Sequence, residues 1–147
     1  MRRTPATAAA LLLSAATAAA VTTVPASAAS APRATGGATV VVNCLGSPEV
    51  RPKEIILACA DANDLLSSLS WTSWSPGVAT GNGVRQLNDC LPNCVGGHFH
   101  DYPVRITLSR ARLWAGHAGV RHFTALTMRY TGVRPSGEPV QVTSDLP

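Results

Sequence analysis

The strongest constraint on this chain is a two-residue alternation in its second half. Val104, Ile106 and Leu108 are separated by Arg105, Thr107 and Ser109. Successive side chains of a strand point to opposite faces, so this pattern makes one face apolar and the other polar, as in a half-buried strand. Leu126, Met128 and Tyr130 alternate with Thr127 and Arg129 in the same way. Val40, Val42 and Cys44 predict another strand, Val140 and Val142 a short last one, and the continuous run Ile55-Ile56-Leu57-Ala58-Cys59 a buried one. Between these runs stand turn signals: Gly46-Ser47-Pro48, Gly81-Asn82-Gly83, Gly96-Gly97, Gly116 to Gly119 and Pro135-Ser136-Gly137. Short strands so punctuated predict an all-β fold, a small antiparallel sandwich or barrel-like domain.

One segment fits two periods. Leu65, Leu66 and Leu69 suit a helical face capped by Asp61 or Asn63, whereas Leu69, Trp71 and Ser73 suit a strand. The expectation is one helical turn after Asn63, then a strand through Trp71. On a regular strand Trp71 and Trp74 face opposite sides, which would bury one ring and expose the other.

The N-terminus follows a different logic. Arg2 and Arg3 precede an almost wholly apolar stretch from Ala8 to Val21, and Pro25 then leads into Ala26-Ser27-Ala28. A charged start, an apolar middle and small residues at a cleavage point make residues 1–28 a cleavable secretory signal. The apolar stretch is shorter than the roughly 18 residues of a membrane span, so no span is expected after cleavage. Residues 29–38, rich in Ala, Ser, Gly and Pro, read as a disordered leader. Residues 39–147 read as a single β-rich domain, and the location as secreted or extracellular.

Charge excludes one function class. The chain has twelve basic and eight acidic residues, and the predicted cleavage removes Arg2 and Arg3. Ten against eight is too mild for nucleic acid, which calls for a dense basic patch. The balance is uneven along the chain: residues 96–147 hold six Arg, three acids and all four His. That gives a weakly cationic surface suited to an anionic wall polymer, beside the plainer reading of a solvated face.

Four cysteines in an exported chain of this size make two disulfides. Three connectivities are open. The preferred one joins Cys44 to Cys59 and Cys90 to Cys94, because Pro92 in the short intervening loop favours a turn. Zinc fits less well, since the spacing lacks the doubled close pairs of zinc ribbons. Asp61-Ala62-Asn63-Asp64 begins like a calcium loop, but Leu65 and Leu66 occupy the positions where a ligand and a glycine belong. It reads instead as an Asx turn and helix cap. His98, His100, His117 and His122 have no spacing that gathers them, so no metal or other cofactor is expected.

The aromatic side chains Trp71, Trp74, Tyr102 and Trp114 are the candidate ligand-binding residues, because exposed rings stack on sugar faces; the alternative is that they fill the core. No G-x-S-x-G or H-E-x-x-H motif is present, and no catalytic residue is assigned. In order along the chain stand Leu57-Ala58-Cys59-Ala60-Asp61-x-Asn63, Leu69-x-Trp71-x-x-Trp74, Asn88-Asp89-Cys90-x-Pro92-Asn93-Cys94 and Tyr102-Pro103-Val104. With these motifs the chain resembles a group of small exported actinobacterial proteins of Streptomyces type, over Cys44 to about Gly137. The resemblance implies a source and an export route and transfers no functional residue. The function expected is that of a secreted or wall-associated, non-enzymatic β domain binding glycan or wall polymer. The alternatives are a secreted protease inhibitor using the Cys90–Cys94 loop, since a rigid loop loses little entropy on docking, and a small extracellular hydrolase.

Overall fold

The computed structural model describes residues 37–147; the predicted signal peptide and nearly all of the leader lie outside them. Among the described residues there is no helix. The strands are β1 (Thr39–Val42), β2 (Pro48–Glu49), β3 (Ile55–Ile56), β4 (Asp64–Trp74), β5 (Ala79–Asn88), β6 (Phe99–Ser109), β7 (Arg112–Leu113), β8 (Arg121–His122), β9 (Ala125–Tyr130) and β10 (Gln141–Asp145). Six of them form an antiparallel sheet in the order β10-β9-β6-β5-β4-β3, curled into a half-barrel. The remaining four make a small sheet, β2-β1-β8-β7, in which β1 and β8 run parallel.

The alternation in the sequence sets the two faces of the large sheet. Val104, Ile106 and Leu108 of β6 lie on the inner face with Leu126 and Met128 of β9, all 2% exposed or less. Val41 and Phe123 pack against them from the small sheet and its neighbouring loop and complete the core. The expected alternation of β1 is not seen, because Thr39 to Val42 are all buried. Its strand lies inside the small sheet and is covered on both sides, which removes the pressure for a polar face. The predicted buried strand over 55–59 shortens to Ile55–Ile56 at the edge of the large sheet, with Ile56 partly exposed.

Two expectations fail at β4 and β5. Asp64 to Trp74 is strand throughout, without the helical turn after Asn63. Asp61 does form the predicted Asx turn, accepting the Asn63 N–H at 3.2 Å, but it caps no helix. The apparent helical spacing comes from a bulge: the pairing shifts between Ser67 and Ser70, and Ser68 takes φ +53°. Gly81-Asn82-Gly83, expected as a turn, lies in the middle of β5. Glycine is needed there for close approach, since a Cβ on Gly83 would stand 2.5 Å from Leu69 Cδ2 and 2.9 Å from the Ser67 carbonyl.

A second shift between Trp71 and Ser73 reverses the expected orientation of the tryptophans. The extra residue changes the parity of the strand. Trp71 therefore lies opposite Gly81 and Trp74 opposite Ala79, both on the inner face. Their rings meet edge to face at 4.6 Å, and Trp74 meets Phe123 in the same way at 5.5 Å.

Both disulfides form with the preferred connectivity, Cys44–Cys59 and Cys90–Cys94. They fit an oxidising compartment.

Candidate binding surfaces

The four aromatic candidates do not assemble into one platform. Trp71 and Trp74 are half-buried, and their indole N–H groups donate to the Pro52 and Thr39 carbonyls at 2.8 and 2.9 Å. Burial of the rings and engagement of their polar tips make them packing residues. Tyr102 lies on the same inner face but towards the opposite end, edge-on to Tyr130 at 6.2 Å. Trp114 stands in the loop after β7, stacked on His117 at 3.4 Å with the ring planes 8° apart. The histidines do not gather as a set: His100 bonds Asp89, His117 stacks on Trp114, and His122, whose ring lies 6.1 Å from the same tryptophan, contacts the Pro147 carbonyl. Among the described residues no three metal-binding side chains converge.

Beneath the Tyr102 end of the sheet lies a polar cluster that the sequence reading missed. Arg85, buried on the inner face of β5, directs Nε and Nη2 to the Asp64 carboxylate at 2.8 and 2.7 Å. Its Nη1 donates to Glu138 at 2.8 and 3.0 Å and to the Tyr130 hydroxyl. Tyr130 in turn donates to Glu138 at 2.7 Å. Bidentate pairing with Asp64 raises the Arg85 pKa further above its ordinary value. Burial, followed by the bond to Glu138, pushes the Tyr130 hydroxyl up to about 12. The signal was available: Gly81, Gly83 and Arg85 share one parity, and an arginine on an inward strand position requires carboxylate partners. With every group bonded to another, the cluster joins β4, β5, β9 and the segment before β10 and leaves no free nucleophile or base.

The β5–β6 connection projects beyond this cluster. Asn88 donates to Asn63 Oδ1 and the Cys94 carbonyl and accepts from the Cys90 N–H, all within 2.9 Å. Asp89 accepts from the Leu91 and His98 N–H groups at 3.0 Å, and its other oxygen meets His100 Nε2 at 2.9 Å. The His100 bond, then the backbone donors, hold the Asp89 carboxyl well below the usual carboxylate range. Gly97 completes the loop by proximity, since a Cβ there would fall 2.2 Å from Asn88 Oδ1. The result is a disulfide-clamped backbone that displays Leu91 and Val95, 69% and 101% exposed.

The outer face of the large sheet carries a different chemistry. Asn82, Arg105, Arg129 and Gln141 are opposed in register across β5, β6, β9 and β10, and all four are exposed. The adjacent row is Ser73, Thr80, Thr107, Thr127 and Thr143. Hydroxyl bonds link Ser73 to Thr80 at 2.7 Å and Thr127 to Thr143 at 2.9 Å. Arg105 and Arg129 are direct cross-strand neighbours, and neither forms an ion pair among the described residues. Like charges directly opposite on a sheet destabilise it. An anion seated between two such guanidinium groups would reverse that effect.

No family of known proteins, no curated protein and no solved structure matches the chain. Any functional reading therefore stands on these surfaces.

Proposed function

We propose that the chain is exported and serves as a non-enzymatic binding domain for an anionic extracellular polymer, such as a wall polymer carrying phosphate or carboxylate groups. The observation that carries this reading is the exposed Arg105–Arg129 pair. Its setting suits an extended polar ligand. Asn82 and Gln141 supply amides on either side, and the neighbouring hydroxyl row supplies further donors and acceptors. Trp71 and Trp74, two of the rings that first suggested sugar stacking, pack against the core.

The test is retention of the purified domain on isolated cell walls across a salt series. Binding should weaken as salt screens the arginines. Replacing both Arg105 and Arg129 with Gln should abolish retention while raising stability by roughly 0.2–1 kcal/mol, because a like-charge pair is removed. Retention that survives the double substitution, or that ignores salt, would reject this reading.

The clamped loop favours a second reading, inhibition of an extracellular protease. Leu91 and Val95 are presented on a backbone already ordered before docking, which lowers the entropic cost of association. A panel of secreted proteases addresses it directly. Inhibition should be lost in Leu91→Asp with folding unchanged, and a panel with no inhibited member would dispose of the idea.

A further inference from the structure

An unpaired edge of the large sheet supports an inference that does not rest on the polymer reading, although Gln141 and Thr143 border both surfaces. β10 is an outer strand of the large sheet, and among the described residues no strand pairs with its second edge. The direction of its backbone groups follows from two bonds: Tyr130 N–H donates to the Val140 carbonyl and Leu146 N–H to the Thr124 carbonyl. Even-numbered residues therefore bond towards β9. Antiparallel ladders alternate, so the N–H and C=O groups of Gln141, Thr143 and Asp145 point away from the sheet. The same three residues expose their side chains. The strand has no proline or lysine and carries a single charge, so it lacks most of the usual protection against edge pairing.

We infer that β10 pairs antiparallel with β10 of a second copy of this chain, about a twofold axis at Thr143. The sequence of the edge is self-complementary in that register. Thr143 meets the partner's Thr143, and Gln141 meets the partner's Asp145. The pairs at Gln141, Thr143 and Asp145 are all hydrogen-bonded ones, so each outward N–H finds a carbonyl. At Gln141 the side-chain amide donates to a carboxylate that Arg110 holds through its other oxygen. The two Asp145 carboxylates lie at opposite ends of the paired strands, so no like charges are brought together. A partner with a different edge sequence would lack this match. β3, the opposite edge of the sheet, is only two residues long and offers too few groups to compete. Pairing over five residues buries less surface than a standard stable interface, so the dimer is weak and depends on concentration.

Sedimentation equilibrium on the secreted domain tests this. The expected result is a reversible monomer–dimer equilibrium that Thr143→Pro removes; an edge strand tolerates proline where the N–H faces away from its neighbour. Thr143→Lys and Thr143→Glu each place like charges across the axis and should weaken dimerisation about fivefold. An equimolar mixture of the two should restore or exceed wild-type association, a result that a folding defect cannot imitate. A domain that stays monomeric at its solubility limit would overturn the proposal. So would a dimer unaffected by Thr143→Pro, or one that the mixture fails to restore.

Discussion

The two ends of the half-barrel are held together by different physics. At the β4–β5 hairpin end, Trp71, Trp74 and Phe123 fill the interior with rings, and the polar groups beside them, two indole N–H donors and the buried Thr39 hydroxyl, all find backbone carbonyls. At the other end Arg85, Asp64 and Glu138 form an ionic cluster about the Tyr130 hydroxyl, and the loop above them is fixed by Asn88, Asp89 and a disulfide. Apolar packing needs only volume and tolerates approximate geometry, whereas a buried ionic cluster is stable only when every member is satisfied. The difference teaches why Trp71 and Trp74 serve packing. They lie where the fold needs area. Exposed chemistry instead occupies the opposite end and the outer face, where other residues already secure the backbone.

The largest expected effect tests whether the polar end depends on its full set of partners. Arg85→Ala leaves two carboxylates without their cation and should cost about 3–5 kcal/mol in urea unfolding. Arg85→Met combined with Asp64→Asn and Glu138→Gln should recover most of that loss, because the uncompensated charge is gone. At the packed end, Trp74→Ala should cost about 3 kcal/mol by removing a ring and leaving its space unfilled. No charge substitution elsewhere should rescue it. If that contrast fails, the two ends do not differ in the way described.

Cross-links give a smaller contrast. Removing Cys44 and Cys59 together should cost about 3 kcal/mol and removing Cys90 and Cys94 about 2 kcal/mol, since the chain-entropy effect grows with the loop closed. Equal losses would show that the short bridge organises more of the loop end than chain entropy predicts.

The response to pH should be confined to the polar end. Tyr130 has a folded pKa of about 12 against an ordinary value of 10.0, so its contribution is complete below pH 10 and is lost as pH rises towards 12. Asp89 has the opposite sign. Its folded pKa is depressed below 3.8, so its contribution is present above that value and disappears as pH falls beneath it. Tyr130→Phe should flatten the alkaline loss measured by thermal unfolding, and Asp89→Asn the acid one. Smallest of all, Leu91→Asp should shift stability by no more than about 0.5 kcal/mol, because an exposed side chain makes few contacts.

Much of the sheet was legible because period two is a local signal. β6 and β9 follow from Val104-x-Ile106-x-Leu108 and Leu126-x-Met128-x-Tyr130 alone, since any strand with one buried face must alternate. The pairing of cysteines close in sequence was legible for the same reason. Bulges are not local in this sense. A single added residue in β4 turns Trp74 onto the side of Trp71, and only its register against β5 reveals it. Gly81 and Gly83 carry the composition of a turn, yet close contact with the bulged neighbour assigns them to mid-strand.

The sequence by itself determined an all-β domain and two interior strands of its large sheet, and it favoured the two covalent clamps over the other pairings, because each depends on residues near one another in the chain. Tertiary structure alone decided which side chains meet. Asp64, Arg85, Tyr130 and Glu138 come from four segments, and Arg105 faces Arg129 across a strand pair joined by a long connection. No periodicity encodes those meetings, because strand order and register are settled by burying all the inner faces at once.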